Sequence, residues 1–156
     1  MTDRKSSADG DMLARIFRMQ TELNDYVFSS NGLGGPSDAP LTMAAIEEET
    51  AAGRLGVNAL PNTWLSRYSR AMREELDELD ADLLWKWWSR DEIDLQNIRV
   101  ELIDLLHFLV SAMICAGLDA ERVFDIYTQK HAVNIRRQDK GYSRAGKTED
   151  DNRDIG

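Results

Sequence analysis

The chain has 156 residues, 28 acidic side chains against 19 basic ones and a net charge of -9, with a pI near 4.7. That length suffices for one domain with a substantial core, and that charge argues against non-specific nucleic-acid binding and against docking on an anionic membrane. A phosphate ligand held through metal ions remains compatible with it. The lone cysteine, Cys115, lies in an apolar helical run. It reads as a small buried core residue, no internal disulfide can form, and a reducing, cytoplasmic setting fits. The polar start MTDRKSSADGD lacks the apolar segment of a signal peptide, and the run 102–118 is short and broken by Asp104 and His107, so no membrane span is expected.

In chain order, residues 1–10 are expected to be disordered, and residues 11–142 to form the domain. A helix should start near Asp11 and run to about Phe28, with an apolar stripe of Leu13, Ile16, Phe17, Leu23 and Val27. Gln20 and Asn24 fall on that stripe one turn apart. Amides there need partners, either across a helix interface or on a polar ligand such as a base edge. The Gly/Ser/Pro-rich stretch 29–40 is a loop, a connection or a lid. A short helix is expected from Leu41 to about Gly53, with Thr42 as N-cap and Glu47 to Glu49 on its wet side. After a turn at 56–62 with Pro61, the next helix should run from Thr63 to about Ser89. Trp64, Tyr68, Met72, Leu76, Leu79 and Leu83 recur along it, and it ends in Trp85-Lys86-Trp87-Trp88. Three tryptophans in four residues cannot all face one core; they would clamp neighbouring helices or a dimer partner. Asp91 or Asp94 should cap the next helix, which Gly117 closes. Asp119 should cap the last, running to about Gln138, with a polar tail over 143–156. No strand pattern, repeat or Gly-rich phosphate loop competes. The expected architecture is all-α, a four-helix-type bundle with a short additional helix.

Two acidic motifs carry chemistry: Glu74-Glu75-x-x-Glu78, and Glu101-x-x-Asp104. Residues three or four apart share a helix face. The second pair lies in VELIDLLHFLV, apolar enough to suggest burial, and buried carboxylates are costly unless paired, protonated or metal-bound. A solvated face is the plain alternative for the first motif; for the second it is an ion pair with Arg70, Arg73 or Arg99. Together, Glu75, Glu78, Glu101 and Asp104 form a hard-oxygen set of the kind that Mg²⁺ or Mn²⁺ prefers. On the last helix Lys130, Asn134 and Arg137 sit at i, i+4 and i+7, a cationic face suited to polyphosphate oxygens or simply to the helix dipole.

The ExxE…ExxD pattern resembles the all-α nucleoside triphosphate pyrophosphohydrolases, the MazG-like superfamily, and most nearly their dimeric dUTPase branch. The matching segments are MQTELND (19–25), Glu75-x-x-Glu78, WKWW (85–88), ELIDLLHF (101–108) and the run from Lys130 through Asn134, Arg137, Gln138 and Gly141 to Tyr142, followed by Glu149 to Asn152. The doublet Glu74-Glu75 is MazG-like rather than specific to that branch. The resemblance implies hydrolysis of dUTP to dUMP and pyrophosphate in a homodimer. Glu75, Glu78, Glu101 and Asp104 would hold two or more Mg²⁺ ions, and Glu74 or Glu75 would activate the water. Gln20 and Asn24 would read the uracil edge, and Phe108 and a tryptophan would wall the base. Lys130, Arg137 and Tyr142 would hold phosphate, with Asn134 near the deoxyribose.

Three rival readings compete. One is a broader MazG-like enzyme that cleans the nucleotide pool. Another is a di-iron bundle, for which only Asp104-Leu-Leu-His107 approximates the required Glu-x-x-His; His107 otherwise reads as a core or supporting residue. The last is a non-catalytic helical interaction module, which leaves the acids in an apolar helix unexplained.

Overall fold

The computed structural model describes residues 11–139 together with Gly141, Asn152 and Ile155. These form α1 (Met12–Ser30), a 3-10 turn (Pro36–Asp38), α2 (Met43–Ala51), α3 (Leu60–Asp82), α4 (Leu95–Cys115) and α5 (Ala120–Asp139). The expected all-α class holds; the one strand-like feature described is an isolated bridge, Gly34 to Pro40. The residues called disordered at the N-terminus, and most of those called a polar tail, lie outside the described residues. No single described helix is long and apolar enough to cross a membrane. The chain divides into two compact units at Gly117, one carrying α1–α4 and the other α5.

In the first unit the helix starts follow local chemistry. Asp11 accepts from the Leu13 N–H, and Thr42 from that of Ala45. Asp94, rather than Asp91, caps α4 by accepting from the N–H groups of Gln96 and Asn97. Such side-chain oxygens satisfy backbone donors that have no partner within the helix. Asp25 of α1 accepts from the Met43 N–H at 2.7 Å, tying α2 to α1. Past the end of α4, Gly117 takes a φ of +75°, a left-handed conformation natural to glycine. The hydroxyl of Thr50 donates at 2.8 Å to the Cys115 carbonyl left open there.

Helices α3 and α4 pack on each other most extensively, with α1 against α4 and α2 against both α3 and α4. Phe28, Met43, Ile46, Pro61, Val110, Ser111 and Cys115 are fully buried. Burial, with Glu47 nearby, pushes the Cys115 thiol up to about 12, which fits an inert core residue. An aromatic ladder crosses the unit: Phe28 to Trp64 at 4.4 Å between ring centroids, Trp64 to Tyr68 at 5.7 Å and Tyr68 to Phe108 at 6.4 Å. The loop after α1 is tied down by Gly35 N–H to Ala39 at 2.7 Å and Leu41 N–H to Leu33 at 2.9 Å.

Two expectations are corrected. The covered face of α1 is Phe17, Gln20, Asn24 and Phe28; Ile16, Leu23 and Val27 are exposed. Apolar residues surround more than half of this helix, so the stripe is chosen by the partner, and α4 meets the amide side. Helix α3 stops at Asp82, with Leu83 extended, and the tryptophans that were expected to finish it lie in the following turn. Continued as helix, they would point in different directions. In the turn, Trp85 and Trp87 each pack edge-on against Trp88, at 5.9 and 5.6 Å, and all remain exposed.

Candidate metal and nucleotide site

The 23-residue helix α3 delivers Glu75 and Glu78 from adjacent turns, and α4, packed alongside, delivers Glu101. Carboxylate oxygens of these three acids lie within 4.8 Å of one another. Asp104 is close enough to repel both Glu75 and Glu101, but its oxygens are not in that set. Its side chain is one methylene shorter and lies along a neighbouring cavity instead. The expected quartet is thus a triad with one adjacent acid.

The expectation of burial is also corrected. Glu75, Glu101 and Asp104 are half-buried and Glu78 is exposed. The apolar residues flanking the acids on α4 do not cover them: Leu102, Leu106 and Leu109 are themselves exposed, and Ile103 is 53% exposed. Nor is there an arginine lock. Among the described residues, the acids of the cluster have no ion pair to Arg70, Arg73 or Arg99; the ion pair seen is Arg54 with Glu49 at 3.8 Å, elsewhere in the unit. The electrostatic consequence is one-sided. Desolvation, then Glu78, Asp104, Glu101 and Glu74, raise the pKa of Glu75 above the usual carboxylate range. Desolvation, then Glu78, Asp104 and Asp82, raise that of Glu101, with the Asn97 amide the one opposing influence. Glu74 is exposed and adds charge without joining the triad.

Asn97 and Asp82 were missed by sequence reading. The Asn97 amide donates to Asp82 across the α3–α4 junction and approaches Glu101 at 3.4 Å. Asn97 lies four residues before Glu101, so helical spacing alone could have flagged it.

Beside the acids is a cavity of about 380 Å³ lined by Gln20, Asn24, Trp64, Tyr68, Asp104 and Phe108, among others. Asp104 is common to the cavity and the electrostatics of the cluster. Of the two roles expected of Gln20 and Asn24 as alternatives, the structure shows the bonds across the α1–α4 interface; both residues also line the cavity. Gln20 Nε2 donates to Asn24 Oδ1 at 3.1 Å and to Ser111 Oγ at 3.0 Å, and Asn24 Nδ2 donates to Ser111 Oγ at 3.0 Å. The Ser111 hydroxyl donates to the His107 carbonyl at 2.9 Å, and His107 Nδ1 meets Gln20 Oε1. His107, expected in the core or in support, is exposed. Phe108 lines the cavity, and the tryptophan there is Trp64.

In the second unit, α5 carries Lys130, Asn134 and Arg137. The Lys130 ammonium donates to Asn152 Oδ1. Tyr142 and the acidic residues 149–151 lie outside the described residues.

Residues 12–117 match the family model described as dUTPase. That span runs unbroken through α1–α4 and includes 30–62, to which no motif had been assigned. The chain is 30% identical over 94 residues to the dCTP pyrophosphatase of Enterobacteria phage T4, covering 60% of this chain and 48% of that protein. It is 32% identical over 90 residues to the dCTP pyrophosphatase of Enterobacteria phage LZ5, covering 58% and 46%. A DNA replication protein of Enterobacteria phage T4 is 27% identical over 93 residues, which are 58% of this chain and 21% of the relative. The chain therefore spans about half the length of the first two relatives it matches. No solved structure matches it.

Proposed function

This chain belongs to the dUTPase family, and we propose that it is a metal-dependent nucleoside triphosphate pyrophosphohydrolase that converts dUTP to dUMP and pyrophosphate. The observation that carries this reading is the convergence of Glu75, Glu78 and Glu101 oxygens, with no ion pair to them among the described residues, beside an aromatic cavity. Like charges so placed need a partner, and an all-oxygen set fits Mg²⁺, with Mn²⁺ a close substitute. Bound there, the ion would screen phosphate oxygens and acidify a coordinated water.

The chain's own residues have distinct tasks in this reading. Glu75, Glu78 and Glu101 hold the ion, with Asp104 turned toward the base side. Glu75 or Glu74 orients the attacking water and takes its proton. Trp64, Tyr68 and Phe108 offer the flat apolar walls a pyrimidine stacks on, and Gln20 and Asn24 offer it a polar edge. On the resemblance alone, Lys130, Arg137 and Tyr142 bind phosphate oxygens and Asn134 lies near the sugar.

Two base choices have separate support. The family description favours uracil, whereas the relatives at 30% and 32% identity are dCTP pyrophosphatases. A panel of dUTP, dCTP and the other dNTPs with Mg²⁺ separates these and also tests for a broader enzyme. Pyrophosphate released from none of them would end the proposal. The same reading includes a homodimer. Met12, Ile16, Met19 and Leu23 on α1 and Leu102, Ile103, Leu106 and Leu109 on α4 are exposed, and Ile16, Met19, Leu23, Ile103 and Leu106 line one apolar hollow, a surface of the kind that marks an interaction site. A second copy presenting the same helices would supply a matching apolar face. Sedimentation equilibrium that finds only monomer counts against that part.

A further inference from the structure

We infer that His107 sets which pyrimidine the cavity accepts, as a positioning residue acting through Gln20 on the amide of Asn24; this rests on the reading above that the cavity receives the base. The hydrogen-bond inventory leads there. Gln20, Asn24 and Ser111 are only 5%, 6% and 0% exposed, so each polar group must find its partner within the protein or on a ligand. Both protons of Gln20 Nε2 are committed, one to Asn24 Oδ1 at 3.1 Å and one to Ser111 Oγ at 3.0 Å. Its Oε1 faces His107 Nδ1. An oxygen acceptor opposite Nδ1 requires that nitrogen to carry a proton, which fixes the ring tautomer.

Ser111 is equally committed. Its proton goes to the His107 carbonyl at 2.9 Å, nearer than Asn24 Oδ1 at 3.4 Å. Its lone pairs accept from Gln20 and from Asn24 Nδ2 at 3.0 Å, and the Tyr68 side chain hydrogen-bonds Ser111 as well. What remains unspent in the set is one N–H on Asn24 Nδ2 and one acceptor position on Asn24 Oδ1, and Asn24 lines the cavity.

The order of that donor and acceptor along the cavity wall is the order in which a base edge is read. Uracil presents an N–H at N3 beside a carbonyl at C4; cytosine presents a bare N3 beside an amino group. The two edges are interchanged, so one orientation of the Asn24 amide pairs with one base and leaves buried groups unpaired against the other. Asn24 cannot turn over alone, because Gln20 holds its oxygen and Ser111 its nitrogen. Gln20 cannot turn over while His107 donates from Nδ1. A proton moved to Nε2 would place a bare ring nitrogen against Oε1, reverse the preferred Gln20 orientation and with it that of Asn24.

The test uses the full chain, kcat/KM for dUTP and for dCTP, and two variants. His107→Phe keeps a ring and removes the donor; His107→Asn places an amide N–H close to where Nδ1 stands. The ratio of the two kcat/KM values should move at least about tenfold in His107→Phe and return to within about threefold of the wild type in His107→Asn. A purely structural loss lowers both substrates together and leaves the ratio unchanged, and that result overturns the inference. So does a wild type that hydrolyses both equally well. Independently of the variants, long-range ¹H–¹⁵N spectra of the two histidines should show His107 protonated at Nδ1, and a bare Nδ1 overturns the inference even if the variants fail to fold. Wild-type protein that hydrolyses neither nucleotide removes the functional reading itself, a result distinct from an active enzyme whose base ratio ignores His107.

Discussion

Two polar clusters share helix α4, and they are built in opposite ways. The amides of α1 and the Ser111 hydroxyl of α4 are almost wholly enclosed and hydrogen-bonded to one another, with one N–H and one acceptor position of Asn24 left over. The acids of α3 and α4 are half-open, carry one sign of charge and raise one another's pKa. A satisfied buried network holds its own shape. An uncompensated charge cluster holds the chain back until something positive arrives. In the proposed reading the first serves recognition and the fold, and the second serves a bound cation and turnover. If that division is right, the two clusters respond oppositely to mutation.

The largest effect should come from the acids. Glu101→Gln should lower turnover by more than about 100-fold, beyond what loss of a mere supporting residue costs at a metal site, while leaving the melting temperature of the metal-free protein unchanged or higher. Steady-state rates and a thermal melt on the same sample check both halves. Retained turnover would mean the ion is held elsewhere.

Next is the response to the ion itself. A ligand that binds only the folded state stabilises it by about 2.7 kcal/mol at one hundred times its dissociation constant. Mg²⁺ should therefore raise the melting temperature of the wild type and of Ser111→Ala, but not that of Glu101→Gln. Calorimetric titration gives the dissociation constant directly, and equal gains in all of them would separate the stabilisation from the triad. Ser111→Ala should show the complementary behaviour. It leaves Gln20 Nε2 and Asn24 Nδ2 each short of an acceptor in a buried place. Unsatisfied groups of this kind cost about 1–3 kcal/mol, read as a lower urea midpoint with or without Mg²⁺.

How much of this was legible in the sequence depends on how local the cause is. Helix caps are set within four residues, so Asp11 and Thr42 could be read directly and the cap of α4 could be narrowed to Asp91 or Asp94. Glu75, Glu78 and Glu101 could be grouped because helix spacing puts Glu75 and Glu78 on one face and a hard-oxygen set draws on acids from a second helix. The covered side of α1 could not, since apolar residues surround most of it and only the partner decides. The end of α3 was misplaced because a periodic apolar pattern continues to Leu83 without a proline or glycine to stop it. Burial of Glu101 and Asp104 was inferred from apolar neighbours in sequence. On a helix those neighbours point elsewhere, and Leu102 and Ile103 proved to be exposed themselves. Ser111 gave no signal as an isolated residue, and Asn97 gave only its helical spacing from Glu101. Each matters through a partner that lies across a helix interface.

The smallest expected effect sharpens the contrast by pH. Glu75 and Glu101 titrate above the usual carboxylate range, chiefly through desolvation and then through Glu78. Between the ordinary value and the raised one, the folded chain holds more protons than the unfolded chain, so the contribution of these groups to stability falls as pH rises through that window. The metal-free wild type should accordingly lose stability at these positions as pH rises from the ordinary carboxylate value through the raised one, and Glu101→Gln should show a flatter slope. With saturating Mg²⁺ the sign reverses, because the ion competes with those protons and binds more tightly as they leave. Ser111→Ala changes no titrating group and should keep the wild-type slope in both conditions. Melting curves across that pH interval, with and without the ion, read all of these slopes. A slope of the same sign in both conditions would mean that the raised carboxyls are not the groups the ion displaces protons from.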